Sequence, residues 1–243
     1  MRTDTESKGL NVVAAIPCHN EEQFIGDIVR SAQEYVSQVV VVDDGSSDRT
    51  IDAAVEAGAM VVRHGTNKGP GEAYKSCFEA ARSLKADVLI TLDGDGQHLP
   101  DELPRLLHPL LSEEADLVIG SRFLKDYDIP RYRKVGIDVI TWLYNLGSAV
   151  KVVDAQSCYR GYNRKALDTL RITESGFGFS VELLIQARNR GLVIQEVPVS
   201  CIYHRDSHSM NPVLHGVGVA LMVIKHRLKD LVPDRSGDPS EAQ

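Results

Sequence analysis

The chain has 243 residues, 43% of them hydrophobic, with a formal net charge of −7 and a pI near 5.6. That length suits one substantial core, and the acidic balance argues against a general nucleic-acid binder, which needs a basic face. The four cysteines, Cys18, Cys77, Cys158 and Cys201, are far apart and form no CxxC pair. Neither a zinc site nor a disulfide framework is therefore expected, and reduced thiols fit a cytosolic setting.

Met1 to Gly9 is polar, carries no apolar targeting core and is expected to be a flexible N-terminus. Leu10 to Ile16 reads as a strand, and Asn20-Glu21-Glu22 opens a predicted helix through Val36 with Asn20 as its N-cap. Val39 to Val42 is a second strand, ending in Asp43-Asp44-Gly45-Ser46-Ser47-Asp48; the next helix runs to about Ala57, and Met60 to Arg63 makes a third strand. The glycine-rich loop Gly65 to Gly71 feeds a helix to about Leu84, Val88 to Leu92 is a fourth strand and Asp116 to Gly120 a fifth. The rhythm then changes. Pro130 to Val150 reads as helix, followed by a short element at Tyr159 to Tyr162, a helix from Ser180 to Arg190, a strand at Val193 to Val197 and a last helix from Pro212 to about Leu231.

Strands alternating with helices predict an α/β fold: one Rossmann-like, mostly parallel sheet with helices on both faces, plus C-terminal amphipathic helices. One domain spanning residues 10–232 is expected, with a disordered polar tail over 233–243. No stretch reaches the about 18 uninterrupted apolar residues of a spanning helix; the nearest, Val213 to Ile224, is too short and contains His215.

The densest chemistry follows the fourth strand, in Asp93-Gly94-Asp95-Gly96-Gln97-His98. Two hard carboxylates and an amide oxygen suit Mg²⁺ or Mn²⁺, which would clamp a diphosphate; a solvated Asp-Gly turn is the plainer alternative. Consecutive parallel strands would bring this run to one sheet edge with Pro17 to Glu21, Asp43-Asp44 and Asn67-Lys68-Gly69, where open α/β sheets bind ligands. Asp43 and Asp44 could accept from a base or ribose, or simply cap the next helix. Gly65 to Gly71 lacks both GxGxxG and GxxxxGK[ST], so it is either an ordinary turn or part of a different nucleotide pocket. Downstream, Arg122, Arg133, Lys134 and Arg205 could neutralise a diphosphate leaving group. Asp154 could serve as a general base, and Glu182 is either a second acid or a paired structural carboxylate. His64, His98, His204, His208 and His215 have no metal-ligand spacing.

Taken in order, Ile16-Pro17-Cys18-His19-Asn20-Glu21-Glu22, Val41 to Thr50, Asn67-Lys68-Gly69, Asp93 to His98, Gly120-Ser121-Arg122 and Asp154-Ala155-Gln156-Ser157 resemble the inverting glycosyltransferases of family 2, which have the GT-A fold. With Glu196-Val197-Pro198, the set is most similar to the polyprenyl-phosphate branch that includes dolichyl-phosphate mannose synthase. The resemblance implies an enzyme that moves a sugar from GDP-mannose or a UDP-sugar to a polyprenyl or dolichyl phosphate. It places the nucleotide at Pro17, His19, Glu21, Asp43, Asp44, Lys68 and Gly69, the metal (Mg²⁺ or Mn²⁺) at Asp95 and Gln97, and the sugar near Asp93. Arg122 and Arg205 join Asp93, Asp95 and Asp154 as catalytic residues, while Arg133, Lys134 and Ser157 meet the acceptor phosphate. His19 stands for the family's usual Tyr and Cys158-Tyr159 for Gly-Phe, changes that bear on nucleotide or sugar preference.

Apolar residues flanked by cations in Pro130 to Val150 and Pro212 to Leu231 fit helices lying in the headgroup plane, so peripheral contact with the cytoplasmic membrane face is expected; packing on the sheet or on a dimer partner is the alternative. A family 2 enzyme with a soluble saccharide or protein acceptor, and a non-catalytic nucleotide-sugar-binding protein, are the competing functions. A nucleotidyltransferase is disfavoured, because Pro17-Cys18-His19-Asn20 stands where its GxGTR-type loop would be.

Overall fold

A computed structural model describes residues 9–124, 131–148 and 150–202. Strand β1 (Val12–Cys18) is flanked by β2 (Gln38–Asp43), with β3 (Met60–Arg63) beyond it, and on the other side by β4 (Val88–Thr91). Strands β6 (Arg160–Asn163), β5 (Leu117–Ser121) and β7 (Ile194–Pro198) complete a seven-stranded sheet of order β3-β2-β1-β4-β6-β5-β7. Among the described strands, only β6 runs antiparallel to its neighbours. An antiparallel strand starts where the others end, so the loop carrying Asp154 enters at the same sheet edge as the ends of β1, β2, β4 and β5.

Helices α1 (Ile25–Ala32), α2 (Thr50–Glu56), α3 (Pro70–Ser83), α4 (Leu103–Leu111), α5 (Arg131–Asn145), α6 (Arg164–Thr169) and α7 (Phe179–Asn189) connect and cover the strands. Alternation along β1 divides the core. Val13 and Ala15 pack with Tyr74, Cys77 and Phe78 of α3, while Val12, Ala14 and Ile16 pack with Ile25, Ile28 and Val29 of α1. The sequence pattern predicts no element between the fourth and fifth strands. Helix α4 fills that gap despite Pro104 and Pro109, because Pro104 sits in its first turn and Leu103, Leu106, Leu107 and Leu110 bury one side.

The first helix begins at Ile25, not at Asn20, and ends at Ala32 rather than Val36. Asn20 takes a left-handed conformation, φ 58°, which an N-cap does not adopt. Helix α5 ends at Asn145, short of Val150, and carries two apolar faces. Ile140 and Tyr144 are buried in the core, whereas Val135, Val139, Trp142 and Leu146, spaced i, i+4, i+7 and i+11, are 60%, 49%, 60% and 50% exposed. The expected helix Pro212 to Leu231, the tail 233–243, Arg205 and residues 1–8 lie outside the described residues, as does the side chain of Arg133.

Close backbone contact also fixes the start of α3. A Cβ on Gly71 would stand 1.9 Å from the Glu174 carbonyl oxygen and 2.7 Å from the Ser175 carbonyl carbon. Both are main-chain atoms that cannot turn aside, so Gly71→Ala is expected to cost about 2–3 kcal/mol in urea unfolding.

Candidate active site

The first two strand-end motifs interlock. Asn20 N–H donates to Ser46 Oγ (2.9 Å), Glu21 N–H to Thr50 Oγ1 (2.8 Å) and Glu22 N–H to Asp48 Oδ2 (3.2 Å). In return Ser47 N–H donates to Asn20 Oδ1 (2.8 Å) and Arg49 N–H to Glu22 Oε2 (2.9 Å). Side chains of the second loop thus satisfy the backbone that a helix would otherwise have used, which is why residues 20–22 are not helical. Pro17 and Asp43 are buried in β1 and β2, and Asp43 accepts from Ser46 N–H at 3.2 Å. His19, Glu21, Lys68 and Gly69 are the expected nucleotide residues with exposed surface. The Asp44 carboxylate accepts from Lys68 N–H (3.0 Å), Gly69 N–H (2.9 Å) and His64 Nδ1 (2.6 Å), so it builds the loop that carries Lys68 and Gly69.

At the end of β4, Tyr74 Oη donates to Asp93 Oδ1 at 2.8 Å. The motifs alone do not single out Tyr74; the available signal is that a tyrosine on the buried face of α3 needs a partner for its hydroxyl. Burial, then the neighbouring Asp95, raise the Asp93 carboxyl above the usual range. Burial, followed by Asp95, Asp48 and Asp93, pushes Glu21 up to about 7. Such mutual repulsion marks a site short of positive charge, and oxygen donors of this kind fit a hard divalent cation. Among the described residues no three His, Cys, Asp or Glu gather as a ligand set. Mg²⁺ needs only one or two carboxylates when substrate phosphates complete its shell, so Asp95 and its surroundings fit. Gln97 is not arranged as a ligand: its Nε2 donates to Asp95 Oδ2 (2.6 Å) and its Oε1 faces Cys201 Sγ (3.7 Å), so the amide must turn before its oxygen can meet an ion.

Glu21 also gives a pH signature. Its folded pKa of about 7 exceeds the unfolded value of 4.5, so over that interval the native state holds the extra proton and stability falls as pH rises. Because the side chain is half-buried, solvent screening keeps the effect small. The melting temperature should decline from about pH 5 to about pH 8, and Glu21→Gln should flatten that decline.

Across the edge, Arg122 forms a two-pronged ion pair with Asp154, Nε to Oδ2 at 2.7 Å and Nη2 to Oδ1 at 2.8 Å. Burial alone would raise Asp154, but the Arg122 guanidinium and its hydrogen bonds hold the carboxyl below its ordinary range. With both oxygens engaged and 0% exposure, Asp154 is arranged to orient Arg122. Glu196 of β7 completes the frame by accepting from Val153 N–H (2.7 Å) and Asp154 N–H (3.0 Å). Ser157, expected at an acceptor phosphate, is buried and donates to the Gly120 carbonyl at 2.6 Å. Lys134 is exposed, pairs with Asp138 at 2.9 Å and lies 5.1 Å from the Phe123 ring. Glu182 is structural: it accepts from Thr173 N–H, Thr173 Oγ1 and Glu174 N–H, holding the segment that abuts Gly71.

The structure thus sets acidic groups at the end of β4 and the Arg122–Asp154 pair along one edge of an open α/β sheet. Residues 13–171 match the family model described as glycosyl transferase family 2. The chain belongs to that family and is a glycosyltransferase. It is 30% identical to a UDP-N-acetylglucosamine–dolichyl-phosphate N-acetylglucosaminyltransferase of Methanococcus voltae over 77% of this chain and 84% of that one. It is 33% identical to an undecaprenyl-phosphate mannosyltransferase of Micrococcus luteus, over 79% and 84% of the two chains. Among solved structures, glucosyl-3-phosphoglycerate synthase of Mycobacterium tuberculosis, in complex with Mn²⁺, UDP-glucose and phosphoglyceric acid, superposes with a TM-score of 0.72 at 23% identity, covering 96% of this chain and 84% of that one. That likeness establishes the GT-A fold.

Proposed function

We propose that this glycosyltransferase moves a sugar from a nucleoside-diphosphate sugar to a polyprenyl, dolichyl-type phosphate at the cytoplasmic face of a membrane. The observation that carries the reading is that Asp93 and Asp95 end β4 at the sheet edge that also holds the Arg122–Asp154 pair, near enough for the Arg122 charge to act on Asp93. The two relatives named for dolichyl- and undecaprenyl-phosphate acceptors support it. A Mg²⁺ or Mn²⁺ held by Asp95 would draw off charge from the diphosphate leaving group. Asp93, aimed by Tyr74, faces the sugar side, and Arg122 keeps a fixed cation beside the leaving diphosphate or the incoming phosphate. The acceptor phosphate oxygen bonds to the anomeric carbon as the bond to the nucleotide diphosphate breaks, with inversion. That oxygen is already ionised near neutral pH, so the transfer needs no strong base, in keeping with Asp154 as an orienting group.

The outward stripe of α5 supplies the membrane contact. Val135, Val139 and Trp142 of α5, with Leu146 one residue past its end, are exposed, with Lys134 next to Val135 in the chain and Lys151 lining one pocket with Trp142 and Leu146, a pattern suited to headgroup burial with basic flanks. No described helix is long and apolar enough to cross a membrane. Thermal shift with GDP- and UDP-sugars plus Mn²⁺ tests the donor half: at about 100 times Kd, a bound donor adds about 2.7 kcal/mol of stability. Absence of any shift across the series contradicts the reading.

A further inference from the structure

We propose that His64 is a positioning residue for the donor: acting through Asp44, it sets the backbone of Lys68 and Gly69, one wall of the nucleotide pocket. The inference rests on the reading of that loop as a nucleotide wall. Asp43 and Arg63 are paired across β2 and β3, so Asp44 and His64 leave the sheet side by side. His64 N–H anchors to the Asp43 carbonyl at 2.9 Å. Its ring then bridges two elements, with Nδ1 at 2.6 Å from Asp44 Oδ1 and Nε2 at 2.9 Å from Ser76 Oγ on α3. A carboxylate oxygen accepts, so Nδ1–H donates to Asp44, while Nε2 and the Ser76 hydroxyl share the second bond.

Asp44 passes this constraint on. Oδ1 also receives Lys68 N–H and Oδ2 receives Gly69 N–H, while its main-chain carbonyl lies 3.0 Å from His19 Nδ1. One residue therefore ties the 68–69 loop to the His19 side of the same pocket. The loop has little freedom to compensate. A Cβ on Gly45 would lie 2.6 Å from Asn67 N, so the two turns are in direct main-chain contact, and Gly69 has φ 94°. His64 and Asp44 are both buried, which raises the cost of an unfilled hydrogen bond between them.

Two substitutions separate the ring nitrogens. His64→Asn places an amide N–H near the Nδ1 position and keeps the Asp44 bond; His64→Gln reaches toward Ser76 and leaves Asp44 without that donor. Steady-state kinetics with the nucleotide sugar that the wild type accepts, alongside thermal unfolding of each variant, reads the result. The expected pattern is a donor KM raised about tenfold or more in His64→Gln with kcat within about twofold, and near-wild-type KM in His64→Asn and Ser76→Ala. Equal KM in all variants overturns the inference, and so does a KM rise in both His64 variants that tracks their loss of stability. A wild type that binds no nucleotide sugar overturns the pocket reading itself, and the positioning role with it.

Discussion

Asp95→Ala lowers kcat/KM for sugar transfer by about a thousandfold or more without loosening the fold. On the proposed function, activity falls because Asp95 would hold the cation against the donor diphosphate. Stability is spared because Asp95 is a source of repulsion in the native state. It is the first charge raising Asp93 and Glu21 after burial, and it accepts from the side-chain amide and N–H of Gln97, a local pair two residues on. The variant should therefore melt at or above the wild-type temperature, with Glu21 titrating lower. Initial rates across a Mn²⁺ titration, paired with thermal unfolding, check both halves. Full activity would remove Asp95 from the metal site, and a large loss of stability would contradict its role as a source of repulsion.

Arg122→Ala acts in the opposite sense: it removes activity and stability together. The Arg122 side chain is 13% exposed and Asp154 is fully buried, so truncation takes away the paired guanidinium and leaves Asp154 with the Arg122 and Ser157 N–H donors and the more distant Arg160 charge. Breaking a buried ion pair from one side costs about 3–5 kcal/mol, and urea unfolding should return a value in that range. Arg122→Lys should recover part of the stability but not the paired geometry, since an ammonium cannot match both carboxylate oxygens. A cost below about 1 kcal/mol for Arg122→Ala would mean that Asp154 draws its stabilisation from elsewhere, and that Arg122 is not the fixed cation of the site.

Much of this site is legible in the amino-acid sequence. Runs such as Val39 to Val42 are short, apolar and bounded by turn residues, so the strands and their polar ends follow from pattern alone. Pattern does not supply the use of each polar side chain. Asn20 has the composition of an N-cap, yet its backbone is claimed by Ser46 across 26 residues of sequence. Asp44 and Ser157 sit in motifs that suggest ligand contact, and the sequence does not show the partners the fold gives them, His64 just beyond β3 and the Gly120 carbonyl of β5. Helix α4 is hidden by its two prolines, and Glu196 stands in a visible motif whose purpose, holding Asp154, emerges only when β7 pairs with β5. The double apolar face of α5 belongs to the same class: periodicity shows an apolar helix, and only packing separates the inward Ile140 and Tyr144 from the outward Trp142.

The most direct measurement is transfer itself. Purified protein is incubated with Mn²⁺, a labelled nucleotide sugar found by thermal shift, and vesicles containing a polyprenyl phosphate, with a soluble saccharide or protein acceptor in parallel. The lipid reading predicts label in an extractable sugar–phosphate–polyprenol, formed with loss of nucleoside diphosphate, abolished by Asp95→Ala, and accompanied by co-flotation of the protein with the vesicles. Label appearing only on the soluble acceptor, with no flotation, would contradict it.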